Sequence, residues 1–491
     1  MPLRAKIQNP AMSINSTRKY AYATSSEIKE ETGDDPNDVL FGSQYGVRTI
    51  TLNRPKKLNS LDASMCRKIV PRLIEWSKSQ MANVVVIKGE GRAFCAGGDI
   101  AALALQNKKG QEEQNKSKDF FALEYKLDHL IATYTKPYVA FLDGITMGGG
   151  VGLSINAPIR IATENTVFAM PETTIGFFPD VGASFFLPRL DGQLGMYLAL
   201  TSEQLKGVNV FYAGVATHYI HSSSLPDLEA RLSELDFKDN DSMEHRLRII
   251  NSTIEEFCTG LPHDQPVSSP VGGKIRQAID YAFQPANENI EKCLKMLQNL
   301  ADMNPDDPGG SEVIEWAKKT KKTILQRSPT SVKVAYRQLR ESPRWSIAET
   351  FIREQGIASR FMEHQDFIEG VSALLIDKPR RTPNWSPNSL DEVSDSTVQE
   401  FFPPMDQLHL QLLKSGEDAD YKESPYAADI GLPRERVIEE YITQARPKSK
   451  DAVVQQFVQR SNGKQGVKEK VEEFLLRKTD EQRGQVVMRA A

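Results

Sequence analysis

Two glycine-rich segments, each directly after a run of apolar residues, could place backbone N–H groups against a ligand. They are residues 94–99 (FCAGGD) and 145–150 (ITMGGG). Because glycine lacks a Cβ, a ligand can approach its backbone closely, and a helix that starts there points its first N–H groups outward. Two such donors that converge on one oxygen would form an oxyanion hole. Tight turns that permit close packing are the alternative interpretation.

Glu172 and Asp180 are two carboxyl groups in an otherwise apolar, turn-rich segment, residues 170–182 (MPETTIGFFPDVG). A carboxyl group among Met, Phe and Ile side chains is partly desolvated, which raises its pKa and makes its ionised form a stronger base or nucleophile. The turn at residues 177–179 could fold Asp180 back towards Glu172. The pair is therefore a candidate for acid–base or nucleophilic chemistry, although a lone acidic pair is more often structural.

Histidine, cysteine and serine residues provide weaker candidates for catalysis. His129 and His218 have no recognisable serine or metal-ligand partner, and His221 adds no third metal ligand. Cys95 has no evident basic neighbour that would lower the pKa of its thiol. Ser154 lies outside a GxSxG motif, so no catalytic triad is indicated. We therefore expect no metal site.

The two glycine-rich segments also lack the patterns of nucleotide-binding loops. Neither supplies the Lys-Ser/Thr pair of a Walker A sequence, and neither has the GxGxxG spacing of a dinucleotide-binding loop. An oxyanion hole therefore explains these glycines better than a phosphate site does.

Strand and helix patterns alternate around these residues. Strand patterns occur within residues 41–53, 84–87, 137–145, 159–162 and 167–170. The continuous apolar run at 84–87 is typical of a strand buried on both faces. Helical spacing of apolar residues occurs within residues 61–79 and 119–134. Repeated strand, strand, helix units predict an α/β core over about residues 40–225.

Proline and charge patterns suggest where this core begins and ends. Pro71 lies inside the first predicted helix and should kink or split it. Helical patterns dominate after the core and give way to a proline-rich loop. The predicted division is a leader with an acidic linker (1–38), a catalytic core (39–225), a helical part (226–388) and an extension (389–491).

Both ends of the chain are basic. Residues 1–26 contain four Lys or Arg and no acidic residue, which is typical of a mitochondrial transit peptide and also of a disordered basic tail. Residues 27–38 are acidic, as in a solvated linker. Residues 446–491 hold eleven Lys or Arg against six Asp or Glu, a net charge of +5, and residues 468–478 have helical spacing. Such a tail could bind a polyanion or a partner, or could be a solvated appendage.

Composition excludes several classes of protein. The 491 residues include 61 Lys and Arg and 65 Asp and Glu, and the net charge of −4 argues against a protein that is basic throughout and coats nucleic acid. No run approaches the length of a transmembrane helix, so we expect no membrane partner. Four widely spaced cysteines without a CxxC pair argue against a disulfide framework and a cysteine zinc site.

Three segments resemble the signature blocks of the crotonase superfamily, namely residues 94–99, 146–152 (TMGGGVG) and 170–182. More narrowly, they resemble its 3-hydroxyisobutyryl-CoA hydrolase branch. The similarity covers about residues 40–388 and is weak between about 226 and 320. It implies a crotonase-like α/β core of repeated ββα units, followed by a helical C-terminal half and a basic C-terminal extension.

The resemblance implies a role for each matching residue. The N–H groups of Gly98 and Gly149 match the oxyanion hole, Glu172 matches the main catalytic carboxylate and Asp180 its partner. Substrate contacts are implied for Glu124, Gly149, Glu172 and Asp180. Coenzyme A contacts are implied for Lys56, Leu58, Gly97, Gly98, Asp99 and Ile100. Coenzyme A would be part of the substrate, and no cofactor is implied.

One position departs from the wider superfamily. Enoyl-CoA hydratases place a second glutamate shortly after the glycine run, where this chain has Gly152. Hydratases use two acids to hold the water that adds to a double bond. The resemblance therefore disfavours hydration and favours a reaction at Glu172 and Asp180.

The resemblance implies hydrolysis of a short-chain 3-hydroxyacyl-CoA thioester, 3-hydroxyisobutyryl-CoA, in valine breakdown in the mitochondrial matrix. Glu172 could activate water or attack the carbonyl carbon, and the sequence leaves both routes open. Fungal relatives of this branch are also components of the mitochondrial small ribosomal subunit. A contact of the C-terminal extension with ribosomal protein and rRNA is therefore the alternative, and an enoyl-CoA hydratase or isomerase is a third. The oligomeric state stays open.

Overall fold

The computed structural model describes residues 22–23, 28–238, 240–261, 266–307, 309–413, 420–426, 430–482 and 484–489. The predicted transit peptide, residues 1–26, lies outside these residues except for Tyr22 and Ala23.

The strands form two larger and two smaller sheets. They are β1 (Tyr22–Ala23), β2 (Val39–Gln44), β3 (Val47–Leu52), β4 (Val84–Gly89), β5 (Ala93–Cys95), β6 (Tyr138–Leu142), β7 (Ile145–Met147), β8 (Ile159–Ala162), β9 (Val167–Ala169), β10 (Leu205–Lys206), β11 (His218–Tyr219), β12 (Leu412–Leu413), β13 (Thr479–Gln482) and β14 (Gln485–Met488). The six-stranded sheet has the order β11-β8-β6-β4-β3-β2 and the four-stranded sheet the order β10-β9-β7-β5. Neighbours in both sheets are parallel except at the β2–β3 hairpin and the β9–β10 pair. The small sheets pair β1 with β12 and β13 with β14.

Helices surround the sheets and make up most of the second half of the chain. They are α1 (Ala63–Lys78), α2 (Ile100–Asn107), α3 (Gln111–Ala132), α4 (Gly149–Gly152), α5 (Ala183–Phe186), α6 (Leu194–Thr201), α7 (Val208–Tyr212), α8 (Leu225–Ser233), α9 (Met243–Glu255), α10 (Gly273–Ala282), α11 (Ile290–Ala301), α12 (Gly310–Leu325), α13 (Pro329–Glu341), α14 (Ile347–Glu363), α15 (Gln365–Val371), α16 (Asp395–Gln399), α17 (Glu435–Ala445), α18 (Lys450–Arg460) and α19 (Val467–Lys478). This architecture confirms the predicted α/β class and the helical C-terminal half.

Two local predictions need correction. Pro71 does not split its helix, because α1 continues from Ala63 to Lys78 through it, while the alternative of a kink stays a prediction. Residues 137–145 form two strands in different sheets, β6 and β7, rather than one. Gly144 turns the chain between them with a φ of +98°, and a Cβ there would lie 2.4 Å from the carbonyl oxygen of Arg92. Glycine is therefore required at this turn.

Side chains of the central strand β4 alternate between two parts of the hydrophobic core. Val84 and Val86 pack with residues of α8 and α9 on one face of the six-stranded sheet. Val85 and Ile87 belong to the larger core on the other face. The strand is buried on both faces, as its continuous apolar run predicts.

The acidic segment before the core is not a solvated linker in its last residues. Asp34 accepts a hydrogen bond of 2.9 Å from Arg67 Nε, and Asp38 pairs with Lys68 at 2.7 Å. The Asp38 and Lys68 side chains are both buried, so the pair is held in a water-poor environment. Residues 34–38 are therefore attached to α1.

The basic C-terminal segment also packs against the core. The apolar face of α19 is buried through Val467, Val471, Phe474 and Leu475. Arg477 has only 2% of its side chain exposed and pairs with Glu435 at 2.5 Å and with Glu473 at 2.9 Å. The predicted helix is confirmed, and the alternative of a solvated appendage is wrong for it.

Two further basic residues of this segment bind acids of the core. Lys470 contacts Asp191 at 2.7 Å, and Lys464 pairs with Glu255. Burial alone would raise the pKa of Asp191, but Lys470 holds it below its usual value. The charges of Lys464, Lys470 and Arg477 are thus paired inside the molecule.

Within the described residues, no helix has both the length and the hydropathy needed to cross a membrane.

Removal of residues 446–491 should lower the melting temperature by more than about 5 °C, because it takes away the apolar face of α19, on which each large buried side chain contributes about 1.5–3 kcal/mol. Thermal unfolding followed by circular dichroism measures the change. Leu476→Ala is the control, because that side chain lies on the same helix but is 74% exposed. An unchanged melting temperature in the truncated protein would contradict the docking of this segment.

Candidate active site

Three adjacent strands end at the candidate site. β5, β7 and β9 are parallel neighbours in the four-stranded sheet, so their carboxyl ends meet at one edge. The loop after β5 carries Gly97 and Gly98, the loop after β7 carries Gly148 and Gly149, and the loop after β9 carries Glu172. The sheet order therefore brings together residues from the three separate sequence blocks. Loops at the carboxyl ends of parallel strands are the usual place for a site in α/β proteins.

Gly98 and Gly149 lie next to each other. A Cβ on Gly149 would lie 3.4 Å from the nitrogen of Gly98 and 2.5 Å from Oε1 of Glu124. Gly149 is the first residue of α4, so its N–H has no acceptor within that helix. Among the described residues, neither glycine N–H donates to another backbone carbonyl. Two unused donors at one point have the character of an oxyanion hole.

Glu172 and Asp180 are both nearly enclosed by protein. Glu172 is 5% exposed, and its Oε1 lies 3.1 Å from the place that a Cβ would take on Gly148. Asp180 is 4% exposed and accepts a hydrogen bond of 2.6 Å from the hydroxyl of Tyr125. The predicted acids thus share one buried region with the glycine loops.

The turn that carries Asp180 is held by two side chains from the helical half of the chain. Glu354 of α14 accepts hydrogen bonds from the backbone nitrogens of Gly182 (2.7 Å) and Ser184 (2.9 Å). The side-chain amide of Gln338 donates to the carbonyl oxygen of Pro179 at 2.7 Å. The position of Asp180 therefore depends on α13 and α14.

Desolvation dominates the electrostatics of these acids. Burial raises the pKa of Glu124 and Glu172 well above the usual glutamate value, and the nearby charge of Asp180 raises both further. Burial also raises the pKa of Asp180 to about 7 and that of Glu354 to about 8. Among the described residues, no cation pairs with any of the four. Each proton therefore leaves this cluster at a higher pH than it would leave an exposed carboxyl group.

The two segments predicted to bind coenzyme A are joined through Asp99. Its carboxylate accepts hydrogen bonds from Lys57 Nζ (2.8 Å) and Arg54 (3.0 Å). Partial burial alone would raise the pKa of Asp99, but these two cations lower it below its usual value. The N–H of Leu61 donates to the carbonyl oxygen of Gly97 at 2.8 Å. Residues 54–61 and 97–99 therefore form one surface.

The remaining predicted coenzyme A residues flank this surface. Lys56 is exposed in the short helix Pro55–Lys57, and Leu58 follows with a φ of +54°. Ile100 begins α2, and its Cγ2 lies 3.8 Å from the place of a Cβ on Gly98. The structure thus brings all of these residues together beside the Gly98 loop.

Three of the weaker candidates for catalysis lie in well-defined surroundings. His218 is buried between Thr217 (2.9 Å) and Asn251 (3.0 Å), and burial lowers its pKa to about 4. Burial raises the pKa of the Cys95 thiol to about 12, which suppresses its thiolate. The hydroxyl of Ser154 donates to the carbonyl oxygen of Gly150 at 2.8 Å.

Sequence patterns did not identify Tyr125, Gln338 or Glu354. The only local signal for Tyr125 is that it directly follows Glu124. Gln338 and Glu354 are more distant in sequence and contact the Asp180 turn only because α13 and α14 fold back onto it. No local pattern could have found these two.

Glu354→Ala should lower the free energy of unfolding by about 2–4 kcal/mol, because it leaves two buried N–H groups without an acceptor. Glu354→Gln is the matched control, since it keeps one carbonyl oxygen and nearly the same volume, and should lose less. Chemical denaturation at pH 6 measures both values. Equal losses in the two variants would contradict the positioning role of the carboxyl group.

Asp180 should make the stability of the protein depend on pH. Its pKa of about 7 in the folded state exceeds the ordinary value of 3.8. Between these values the folded state binds more protons than the unfolded state, so the free energy of unfolding falls as pH rises, by up to about 1.4 kcal/mol per pH unit.

Asp180→Asn removes this dependence and keeps an acceptor for Tyr125. Its stability relative to the wild-type protein should therefore increase between pH 4.5 and 7, and chemical denaturation at both pH values measures the difference. A constant difference would show that the pKa of Asp180 is not raised.

Comparison with known proteins places the chain in a family. Residues 47–402 match the family described as enoyl-CoA hydratase/isomerase. Small ribosomal subunit protein mS47 of Neurospora crassa is 52% identical over 97% of this chain and 91% of its own length. The mitochondrial 3-hydroxyisobutyryl-CoA hydrolase of Gallus gallus is 42% identical over 77% of this chain and 92% of its own length.

A solved structure gives the same assignment. The carnitinyl-CoA dehydratase of Mycobacterium thermoresistibile has a TM-score of 0.62 and 30% sequence identity, and covers 76% of this chain and 98% of its own. These matches confirm the resemblance to the crotonase superfamily and to its 3-hydroxyisobutyryl-CoA hydrolase branch. The chain therefore belongs to the enoyl-CoA hydratase/isomerase family.

Proposed function

We propose that this protein hydrolyses 3-hydroxyisobutyryl-CoA to 3-hydroxyisobutyrate and coenzyme A in the mitochondrial matrix. The observation that carries the proposal is the meeting of two unused N–H donors, on Gly98 and Gly149, with the buried carboxyl groups of Glu172 and Asp180. The hydrolase relative is 42% identical and is named as a mitochondrial enzyme, which supports both the reaction and the location.

In this proposal the thioester carbonyl oxygen lies between the N–H groups of Gly98 and Gly149. Negative charge develops on that oxygen when the carbonyl carbon is attacked. Fixed N–H dipoles in a water-poor site stabilise this charge without reorganising, and loss of one such donor typically lowers turnover by about 10²–10³. A Cβ on Gly149 would lie 2.5 Å from Oε1 of Glu124, so a larger residue there would force the Glu124 side chain to move.

Ionised Glu172 then serves one of two routes. As a general base, it takes a proton from water while the water oxygen attacks the carbonyl carbon and the C–S bond breaks. As a nucleophile, its own oxygen attacks, the coenzyme A thiolate leaves, and water hydrolyses the resulting mixed anhydride. In either route the thiolate must gain a proton, and protonated Asp180, whose pKa of about 7 is close to neutral, is the donor that we assign.

Selectivity for a hydroxylated acyl group is assigned to Glu124. Its side chain is 1% exposed, and its Oε1 has no hydrogen-bond partner among the described residues. An acceptor of this kind favours a substrate hydroxyl that donates to it, because the acceptor stays unpaired with an acyl group that lacks the hydroxyl. The small exposed areas of Glu124, Glu172 and Asp180 favour a short acyl chain.

Coenzyme A is assigned to the surface formed by residues 54–58 and 97–100. Lys56 is the exposed cation that could bind a phosphate group, and the backbone of Gly97 and Leu58 could contact the adenine and pantetheine groups. The proposed reaction consumes water and uses no further cofactor, since coenzyme A enters as part of the substrate.

Glu172→Gln should lower kcat for 3-hydroxyisobutyryl-CoA by about 10³ or more while KM changes by less than about threefold, because the amide keeps the size of the side chain but not its basicity. Release of free thiol measures turnover. Glu164→Gln is the control, because the Glu164 carboxyl group accepts a hydrogen bond from the N–H of Ser222 and lies outside the site. Turnover near the wild-type value in Glu172→Gln would refute the assignment.

A second candidate function is a component of the mitochondrial small ribosomal subunit. The observation that favours it is the extent of the match to the Neurospora crassa protein, which includes 97% of this chain against 77% for the Gallus gallus hydrolase. Residues beyond the hydrolase match are thus shared with a protein named for the ribosome. The catalytic acids remain, so the two functions are compatible in one chain.

Native protein should sediment with small ribosomal subunits at moderate salt if this second function holds. Leu476→Glu tests the surface of α19, because its side chain is 74% exposed and the change leaves the core intact. We expect reduced cosedimentation with unchanged thioester hydrolysis. Absence of the wild-type protein from the ribosomal fractions would rule out the second candidate without affecting the first.

A further inference from the structure

The main carboxyl group of the proposed reaction stands on a very short element. Glu172 opens a helix of four residues, Glu172–Ile175, which ends at Gly176 with a φ of +74°. A single turn of this kind makes too few internal hydrogen bonds to hold its own direction. The direction of the Glu172 side chain must therefore depend on the elements that pack against this turn.

Helix α15 contacts the end of the Glu172 turn through its backbone. A Cβ on Gly176 would overlap the carbonyl oxygen of Asp366, and a Cβ on Gly370 would lie 2.5 Å from the carbonyl oxygen of Ile175. Glycine at both positions lets the two backbones approach each other directly. Because protein interiors are close-packed, the turn cannot shift towards α15 without a collision.

The start of α13 supports the same turn at a different residue. The N–H of Ser328 donates a long hydrogen bond of 3.4 Å to the carbonyl oxygen of Thr173, the residue after Glu172. The Ser328 hydroxyl also caps α13, since its oxygen accepts from the N–H of Ser331 at 3.1 Å. Thr173 and Ser328 are both fully buried. The place of Ser328 is therefore transmitted to the Glu172 turn.

The side chain of Asp366 joins these two supports. Its Oδ2 accepts a hydrogen bond of 2.6 Å from Ser328 Oγ, and its Oδ1 accepts one of 2.9 Å from the N–H of Ser386 in the proline-rich loop further along the chain. Asp366 is 0% exposed, so water does not replace either bond. One buried carboxyl group thus fixes the start of α13, the start of α15 and this loop to one another.

We propose that Asp366 is a positioning residue, which holds the Glu172 turn where its carboxyl group can act on the thioester carbonyl. It acts through its backbone contact with Gly176 and, by way of Ser328, through Thr173. A displacement of about 1 Å at a reacting group can lower turnover by about 10². The inference rests on the proposed function and extends the machinery of the reaction to a residue that makes no bond to Glu172.

Full-length wild-type protein, Asp366→Ala and Asp366→Asn should be compared in the hydrolysis of 3-hydroxyisobutyryl-CoA, with release of free thiol as the measure. Asp366→Ala removes both side-chain bonds, and we expect kcat to fall by about tenfold to a hundredfold while KM changes by less than about threefold. Asp366→Asn keeps an oxygen for the Ser386 N–H, and its NH2 group can donate to Ser328 Oγ. We therefore expect its kcat within about threefold of the wild type.

Binding of coenzyme A, measured by isothermal titration calorimetry, separates positioning from loss of folded protein. The surface assigned to coenzyme A consists of residues 54–58 and 97–100, so we expect the wild-type stoichiometry and a Kd within about twofold in each variant. Partial unfolding would instead lower the stoichiometry in proportion to kcat.

Ser328→Ala provides a second test, which stands if Asp366→Ala does not fold. It removes one of the two bonds to Asp366, and we expect kcat to fall about threefold or more. Ser242→Ala is the matched control, because its hydroxyl caps α9 by accepting from the N–H of His245 at 3.2 Å, and α9 packs in a different part of the core. Its kcat should equal that of the wild type.

Four results would overturn the inference. A fall in kcat matched by an equal loss of coenzyme A sites would indicate a role in packing alone. Equal losses in Asp366→Ala and Asp366→Asn would show that the hydrogen bonds are not the cause. A wild-type kcat in both Asp366→Ala and Ser328→Ala would show that the Glu172 turn does not depend on them, while leaving the proposed hydrolysis intact. If the wild-type protein released no coenzyme A from the ester, the proposed function would be wrong, and the inference with it.

Discussion

Burial of several carboxyl groups in one place, with no paired cation among the residues that the structure describes, is the constraint on which the rest of the site depends. Glu124, Glu172, Asp180 and Glu354 come from different parts of the chain, and burial raises the pKa of each. Unpaired buried charge is expensive, so each of these groups holds its proton to a higher pH than an exposed carboxyl group does. The same desolvation that makes the cluster costly makes an ionised member of it a strong base or nucleophile. Burial of these acids lowers the stability of the fold at the place where the reaction requires them. Such a trade-off between stability and activity is common at active sites.

The fold explains how such a cluster can be held in place. Three parallel strands, β5, β7 and β9, direct their following loops to one edge, and the backbone N–H groups of Gly98 and Gly149 meet there. Helices α3 and α14 then close over the loops with side chains that bind the turn of Asp180. Because α14 contributes Glu354, the helical half of the chain is a structural part of the site and more than a cover for the sheets.

Sequence patterns predicted the glycine loops and both acids because each lies in a short segment with its own local signature. Glu172 and Gly149 are flanked by apolar and small residues, and such a context can be recognised from the sequence alone. Glu354 and Gln338 cannot be recognised in this way, because their importance comes from the partners that only the folded chain brings to them. The continuity of α1 through Pro71 and the docking of Arg477 were likewise mispredicted or missed, because tertiary packing overrode local preference.

The docked C-terminal segment relates the two candidate functions. Lys464, Lys470 and Arg477 pair with acids inside the molecule, so a ribosomal contact would use the exposed side of α19 rather than a free tail. The most direct test of the catalytic account is release of coenzyme A from 3-hydroxyisobutyryl-CoA by purified wild-type protein between pH 5.5 and 8.5. The account predicts that kcat falls by up to about tenfold per pH unit above about pH 7, where Asp180 loses the proton that it gives to the leaving thiolate. Absence of release, or a rate that does not vary with pH, would contradict it.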